Sequence, residues 1–126
     1  MLARLAAIPN LQCLENVPLS RYTRFAIGGP ARLLADASTE PALTTALREL
    51  GEAGCPHTLI GGGSNLVADD AGFPGVILRY TESGIEIDPP VVRVRAGAVL
   101  QNLVDATIEA GLRGIETMTG IPGWVG

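Results

Sequence analysis

Apolar and polar positions change rhythm several times along the chain, and each change marks an element. Ala31-Arg32-Leu33-Leu34-Ala35-Asp36 reads as a short strand. Ser38-Thr39-Glu40-Pro41 then has the chemistry of a helix start: a hydroxyl to cap, an acid in the first turn, and a proline where its missing N–H does no harm. Leu43, Ala46, Leu47 and Leu50 recur on one helical stripe, with Thr44, Thr45, Arg48 and Glu49 facing away, and Gly51 or Gly54 ends the helix. Pro56 to Ile60 grows steadily more apolar, as expected of a buried parallel strand. Strand, helix and strand within this span make a βαβ unit. Val76-Ile77-Leu78 is a further buried strand.

Beyond Arg79 the pattern alternates. Ile85-Glu86-Ile87, the turn Asp88-Pro89-Pro90, and Val91-Val92-Arg93-Val94-Arg95 predict a hairpin with one wet face, an antiparallel segment beside the parallel one. Leu100, Leu103, Val104, Thr107 and Ile108 form a second helical stripe that Gly111 closes. The fold class is therefore α+β, an α/β-like βαβ portion joined to antiparallel strands.

The remaining stretches carry weaker patterns. Met1 to Asn16 is weakly helical until Pro9 interrupts it, giving a leading helix and loop over residues 1–18 with no assigned chemistry. Arg21 to Ile27 is compatible with a strand, which Gly28-Gly29-Pro30 breaks. Gly72-Phe73-Pro74-Gly75 reads as a turn. The final residues, Gly120-Ile121-Pro122-Gly123-Trp124-Val125-Gly126, are a glycine-rich loop with an exposed-looking tryptophan. A domain seldom stops on such a loop, so the natural protein is expected to continue past Gly126.

Composition narrows the class. The chain has 126 residues, 47% hydrophobic and 17% charged, which suits a globular domain and excludes disorder. Aromatics contribute only 4%, so the core must be aliphatic. The net charge is −4, and all 9 basic residues are arginines. With no basic cluster, a nucleic-acid partner lacks electrostatic support. With no lysine, neither a Walker-type phosphate loop nor Schiff-base chemistry is available. No apolar run approaches the roughly 20 residues of a membrane span, so no membrane partner is expected. Cys13 and Cys55 have no metal-like spacing, and a reduced, cytoplasmic setting is the default.

The candidate chemistry centres on Ile60-Gly61-Gly62-Gly63-Ser64-Asn65-Leu66. Three consecutive glycines give up packing and cost backbone entropy, which a fold tolerates where φ must be positive or something must approach the bare backbone. Successive N–H groups in such a turn form an anion-binding nest, with Ser64 and Asn65 as added donors. The competing reading is a tight turn with no ligand. Its place at the carboxyl end of a predicted parallel strand, where ligands bind in open α/β sheets, favours the phosphate loop. It is neither a Walker motif nor a Rossmann fingerprint. Arg21 and Arg24 could place cations near an anion, although such arginines are more often solvated. His57 reads as a strand-edge residue and Asp69-Asp70 as a solvated turn. Ala96-Gly97-Ala98 is small enough for a ligand or a helix to come close.

Taken together, six blocks resemble the UDP-N-acetylenolpyruvoylglucosamine reductase family. They are Tyr22-Thr23-Arg24-Phe25 with Ile27 to Ala31; Ile60 to Leu66; Gly72 to Ile77; Val94-Arg95-Ala96-Gly97-Ala98; Gly111-Leu112-Arg113-Gly114-Ile115-Glu116; and Gly120 to Gly126. The resemblance implies an incomplete FAD-binding domain of the vanillyl-alcohol-oxidase/PCMH type over residues 19–126. It implies that Ile60, Gly61, Gly62, Gly63, Ser64, Asn65 and Leu66 wrap the FAD pyrophosphate. Ala96, Gly97, Gly120, Ile121, Pro122, Gly123, Val125 and Gly126 would also line the dinucleotide. The family uses NADPH as electron donor and a UDP-sugar as substrate in peptidoglycan precursor synthesis. Its catalytic serine, arginine and glutamate are expected beyond residue 126, and this stretch alone would be inactive. Trp124 departs from the small residue usual at its position, and Phe25-Ala26-Ile27 from the family's usual wording. Without the resemblance, the alternative is a non-catalytic nucleotide- or phosphate-binding α/β module.

Overall fold

Two central strands explain the first half of the molecule. In the computed structural model, which describes residues 1–126, β2 (Pro30–Ala37) and β4 (Phe73–Tyr80) run parallel in the middle of a four-stranded sheet. The sheet order is β1-β2-β4-β3, with β1 (Leu11–Pro18) antiparallel to β2 and β3 (His57–Ile60) parallel to β4. Strands covered on both faces need nearly continuous apolar runs. Leu33-Leu34-Ala35 and Val76-Ile77-Leu78 supply them, all buried.

The pleat sends alternate residues to two separate cores. Leu33, Ala35, Ala37, Val76 and Leu78 pack with Leu5 and Ile8 near the short helix α1 (Leu2–Ala6), and with Ala42, Ala46 and Leu50 of α2 (Glu40–Glu52). Leu34 and Ile77 face the other way, joining Val17, Leu19 and Ala31, with Tyr22, Ile60, Ala68 and Phe73 packed alongside. A register shift between Ala31 and Leu33 turns Ala31 to this second face. Helix α2 begins as its sequence dictates: the Thr39 hydroxyl accepts from the Ala42 N–H at 3.3 Å, and Pro41 lies in the first turn. Gly54 at φ +59 follows its last turn.

Residues 1–81 and 82–126 form two compact units. In the second, β5 (Ile85–Asp88) and β6 (Val91–Val94) pair antiparallel as a separate two-stranded sheet. Helix α3 (Leu100–Glu109) buries Val104 and Thr107, and Gly111 follows at φ +73. A 3₁₀ turn over Glu116–Met118 precedes the final loop.

The structure corrects several expectations. Leu11 to Pro18 is not loop but a full strand of the main sheet. Only Leu11 and Val17 are buried along it, so as an edge strand it shows no apolar alternation. Arg21 to Ile27 is not a strand; a 3₁₀ turn at Leu19–Arg21 leads into irregular chain, with Ala26 at φ +54. Phe73-Pro74-Gly75 belongs to β4 rather than to a turn. β3 is parallel but lies at the sheet edge, leaving Leu59 55% exposed. Ile108 is 51% exposed despite its place in the helical pattern. Trp124 is half-buried, and its backbone bridges to Val99.

Two substitutions test this architecture by urea unfolding. Leu34→Ala, at a fully buried position, is expected to cost about 2–5 kcal/mol. Loss of the Thr39 cap in Thr39→Ala is expected to cost about 1 kcal/mol.

Candidate functional site

β3 ends at Ile60, and the chain immediately enters the glycine loop. Ile60 pairs with Arg79 in the β3–β4 register, so the loop leaves the sheet beside the carboxyl ends of β2 and β4. Gly61 is half-exposed, Gly62 exposed, and Gly63 buried at φ +74. A Cβ on Gly63 would come within 1.8 Å of the Tyr22 carbonyl oxygen, so no side chain fits there. The Arg24 N–H donates to the Gly63 carbonyl at 3.0 Å, and the Leu66 N–H to the same oxygen at 3.4 Å. Gly63 therefore anchors the loop through its carbonyl and its missing side chain. The N–H groups of Gly61 to Asn65 donate to no protein carbonyl. Ser64 is half-exposed and Asn65 exposed, and neither side chain is committed to a protein partner. Such a set of free, closely spaced donors fits a diphosphate, whose oxygens only accept.

The chain that braces this loop runs from Leu19 to Pro30. Besides the contacts at Tyr22 and Arg24, the Gly29 N–H donates to the Asp69 carbonyl at 2.8 Å. A Cβ on Gly29 would meet the Asp70 carbonyl oxygen at 2.1 Å, and one on Gly72 the Pro30 carbonyl oxygen at 2.0 Å. Buried Thr23 fixes the intervening bend by donating its hydroxyl proton to the Ile27 carbonyl at 3.1 Å. The spacing of Arg21 and Arg24 draws attention to their charges, yet in the structure it is the Arg24 backbone that holds the loop. The signal for this bracing was present as Gly28-Gly29, placed opposite Ala68 to Asp70.

The other predicted candidates sort out locally. Asp69 Oδ1 accepts from the Ala71 N–H at 2.8 Å and shapes a turn. No group of three or more His, Cys, Asp or Glu residues is placed to hold a metal ion. His57 Nδ1 lies 2.8 Å from the Cys55 carbonyl at the exposed start of β3. Cys13 and Cys55 are free thiols, and burial pushes the Cys13 thiol above its ordinary value.

The second set of predicted residues is assembled within residues 82–126. The Gly126 N–H donates to the Ala96 carbonyl at 3.0 Å, and the Val125 N–H to the Ala98 carbonyl at 2.8 Å. The Leu100 N–H donates to the Gly123 carbonyl at 2.9 Å. Val125 and Gly126 thus lie against Ala96 to Ala98, with Gly123 at the start of α3. Gly97 is buried, and its N–H is taken by the Glu82 carbonyl at 3.0 Å. The Gly120 N–H is taken by Gln101 Oε1 at 2.9 Å, and the Ile121 N–H by the Met118 carbonyl at 3.2 Å. Ile121 and Pro122 are exposed. Most donors here are spent internally, so this set is not an anion nest. Just upstream, the Gly114 N–H donates to Glu116 at 2.6 Å and holds that carboxyl below its ordinary range.

A mixed sheet whose parallel strands end beside a glycine-rich loop is where open α/β folds bind ligands, and comparison with known proteins gives the class. The family model described as FAD binding domain matches residues 31–126, and the chain belongs to that family. Relatives it matches include UDP-N-acetylenolpyruvoylglucosamine reductases. It is 47% identical over 123 residues to the one from Solibacter usitatus, covering 98% of this chain and 39% of that protein. To the one from Streptomyces avermitilis it is 45% identical over 117 residues, covering 93% of this chain and 32% of that protein. Among solved structures, the UDP-N-acetylenolpyruvylglucosamine reductase of Thermus caldophilus superposes with a TM-score of 0.70 at 32% identity, over 92% of this chain and 40% of that one. The chain thus spans roughly a third to two fifths of the relatives it matches. No helix is long and apolar enough to cross a membrane.

Two measurements follow. Gly63→Ala should destabilise the protein by well over the ~1 kcal/mol that a positive φ alone costs, because of the Tyr22 clash. Gly54→Ala, at φ +59 with nothing within 4 Å, should cost only that ~1 kcal/mol in the same unfolding assay. Glu116, whose folded value is depressed, should keep its Gly114 contact above the unfolded carboxyl value and lose it as pH falls through the folded one. An NMR titration should show the Gly114 amide moving together with the Glu116 carboxyl.

Proposed function

We propose that this chain supplies the FAD pyrophosphate-binding part of a reductase that converts UDP-N-acetylglucosamine enolpyruvate to UDP-N-acetylmuramate with NADPH. The observation that carries this is the set of uncommitted N–H groups from Gly61 to Asn65, held open by the seating of Gly63 on Tyr22. In this reading residues 19–126 belong to the FAD-binding domain. Ile60 and Leu66 flank the loop, Gly61 to Asn65 donate to the diphosphate, and Ser64 adds a hydroxyl donor. Ala96, Gly97, Gly120, Ile121, Pro122, Gly123, Val125 and Gly126 are assigned to the rest of the dinucleotide. Held by these residues, FAD would supply hydride transfer from NADPH to the enolpyruvyl double bond, with the accompanying proton coming from groups outside residues 1–126. No residue of this chain is assigned to that transfer. The chain's own contribution is binding: the glycine loop offers fixed donors in place of water, at little reorganisation cost.

The support comes from the family membership of residues 31–126 and from the relatives' shared name. The same reading places the protein in the cytoplasm, in cell-wall biogenesis, and through it in cell shape and division. Its partners there are a UDP-sugar substrate and the two dinucleotides, with no nucleic acid or membrane.

The full-length protein should purify yellow, with flavin absorbance that NADPH bleaches. Gly62→Ala should weaken FAD binding about tenfold or more, as loss of close backbone approach to a charged ligand would. A colourless protein that ignores added FAD would overturn the assignment.

A further inference from the structure

The face of the sheet that carries Tyr22 holds one charged pair that the cofactor reading does not use. Asp36 and Arg79 are cross-strand partners on β2 and β4. Arg79 donates through Nε to Asp36 Oδ1 at 2.7 Å and through Nη2 to Oδ2 at 2.5 Å, a bidentate fork. Their side chains are only 17% and 20% exposed. The same guanidinium lies 4.6 Å from the centre of the Tyr22 ring. The Asp36 hydrogen bonds, ahead of the opposing burial, raise the Arg79 value above an already high one, so the charge is permanent.

Three strands converge on this pair. Arg79 is opposite Asp36 on one side and opposite Ile60, the last residue before the glycine loop, on the other. Tyr22 in turn offers the carbonyl on which Gly63 is seated, one residue before Thr23 and two before the Arg24 N–H that grips the Gly63 carbonyl. A continuous run of contacts therefore leads from Asp36 through Arg79 and Tyr22 to the backbone of the loop. Arg79 pairs with both Asp36 and the ring, and the carboxylate balances its charge.

We propose that Tyr22 and Arg79 are positioning residues for the diphosphate loop. The Asp36–Arg79 fork holds the Tyr22 ring, the ring sets the Tyr22 carbonyl, and that carbonyl sets the φ and placement of Gly63. The donors of Gly61 to Asn65 are thereby aimed before any ligand arrives. The inference rests on the reading that this loop takes the FAD diphosphate.

The test uses the intact protein with FAD and ADP as probes, comparing Tyr22→Leu, Tyr22→Phe and Arg79→Lys with wild type. Tyr22→Leu removes the ring, and Arg79→Lys keeps the charge while losing the planar fork. Each should weaken both probes roughly three- to thirty-fold, the range spanned by a lost cation–π contact. Tyr22→Phe should retain wild-type affinity. At saturating FAD, the two ³¹P diphosphate resonances should be displaced in Tyr22→Leu and Arg79→Lys but not in Tyr22→Phe. Unchanged affinities and resonances in both weakened variants would overturn the proposal. So would an affinity loss that only tracks the unfolded fraction seen by circular dichroism, with bound FAD showing wild-type resonances. If Tyr22→Leu does not fold, Arg79→Lys carries the same comparison. A wild-type protein that binds neither FAD nor ADP would instead remove the cofactor reading on which the inference rests.

Discussion

A loop that offers its backbone donors to a ligand cannot use them to hold itself in place. The support has to come from its acceptors, from missing side chains, or from a neighbouring segment. Here all three meet at Gly63. Its carbonyl takes the N–H groups of Arg24 and Leu66, and its bare Cα sits where any Cβ would strike the Tyr22 carbonyl. Its φ of +74 is one a side chain would resist. Because this residue is pinned, the N–H groups of Gly61, Gly62, Ser64 and Asn65 can stay uncommitted to any protein carbonyl.

The same constraint explains the segment from Leu19 to Pro30. It carries no regular strand or long helix, yet it closes the second core and lies along the loop from Gly63 to Gly72. Contacts at Tyr22, Arg24, Gly28 and Gly29 tie the two irregular segments together. Irregular chain needs such backbone-to-backbone accounting, since it has no ladder to satisfy its polar groups. Glycine at 29 and 72 allows the two backbones to approach as closely as strands do.

What was legible in the sequence follows from burial. β2, α2 and β4 declare themselves because their apolar positions face cores, and the capping chemistry of Thr39 is local. β1 does not show in the sequence because it is an edge strand with only Leu11 and Val17 buried, and Pro9 before it resembles a helix stop. β3 reads as buried because apolar residues line it, yet Leu59 faces solvent at the sheet edge. The position of the glycine loop was legible as a strand end. Its brace was not, since Arg21 to Ile27 has strand-like composition and its true role rests on a carbonyl and an N–H, which every residue type possesses. The Asp36–Arg79–Tyr22 contacts are equally hidden, because Asp36 meets Arg79 only through the parallel pairing of β2 with β4, and Tyr22 reaches them from irregular chain.

The two glycine-rich loops carry a more general point. Both look alike in composition, with three glycines in residues 61–66 and three in residues 120–126. In the first, the donors from Gly61 to Asn65 are uncommitted. In the second, the N–H groups of Gly120, Ile121, Val125 and Gly126 are all taken by the protein. A buried or ordered anion gains from free donors, and a satisfied turn has none to give. The two loops therefore differ in what they can offer a ligand: the first has free N–H donors, the second chiefly its surface. Glycine content marks where backbone comes close; the donor accounting decides to what.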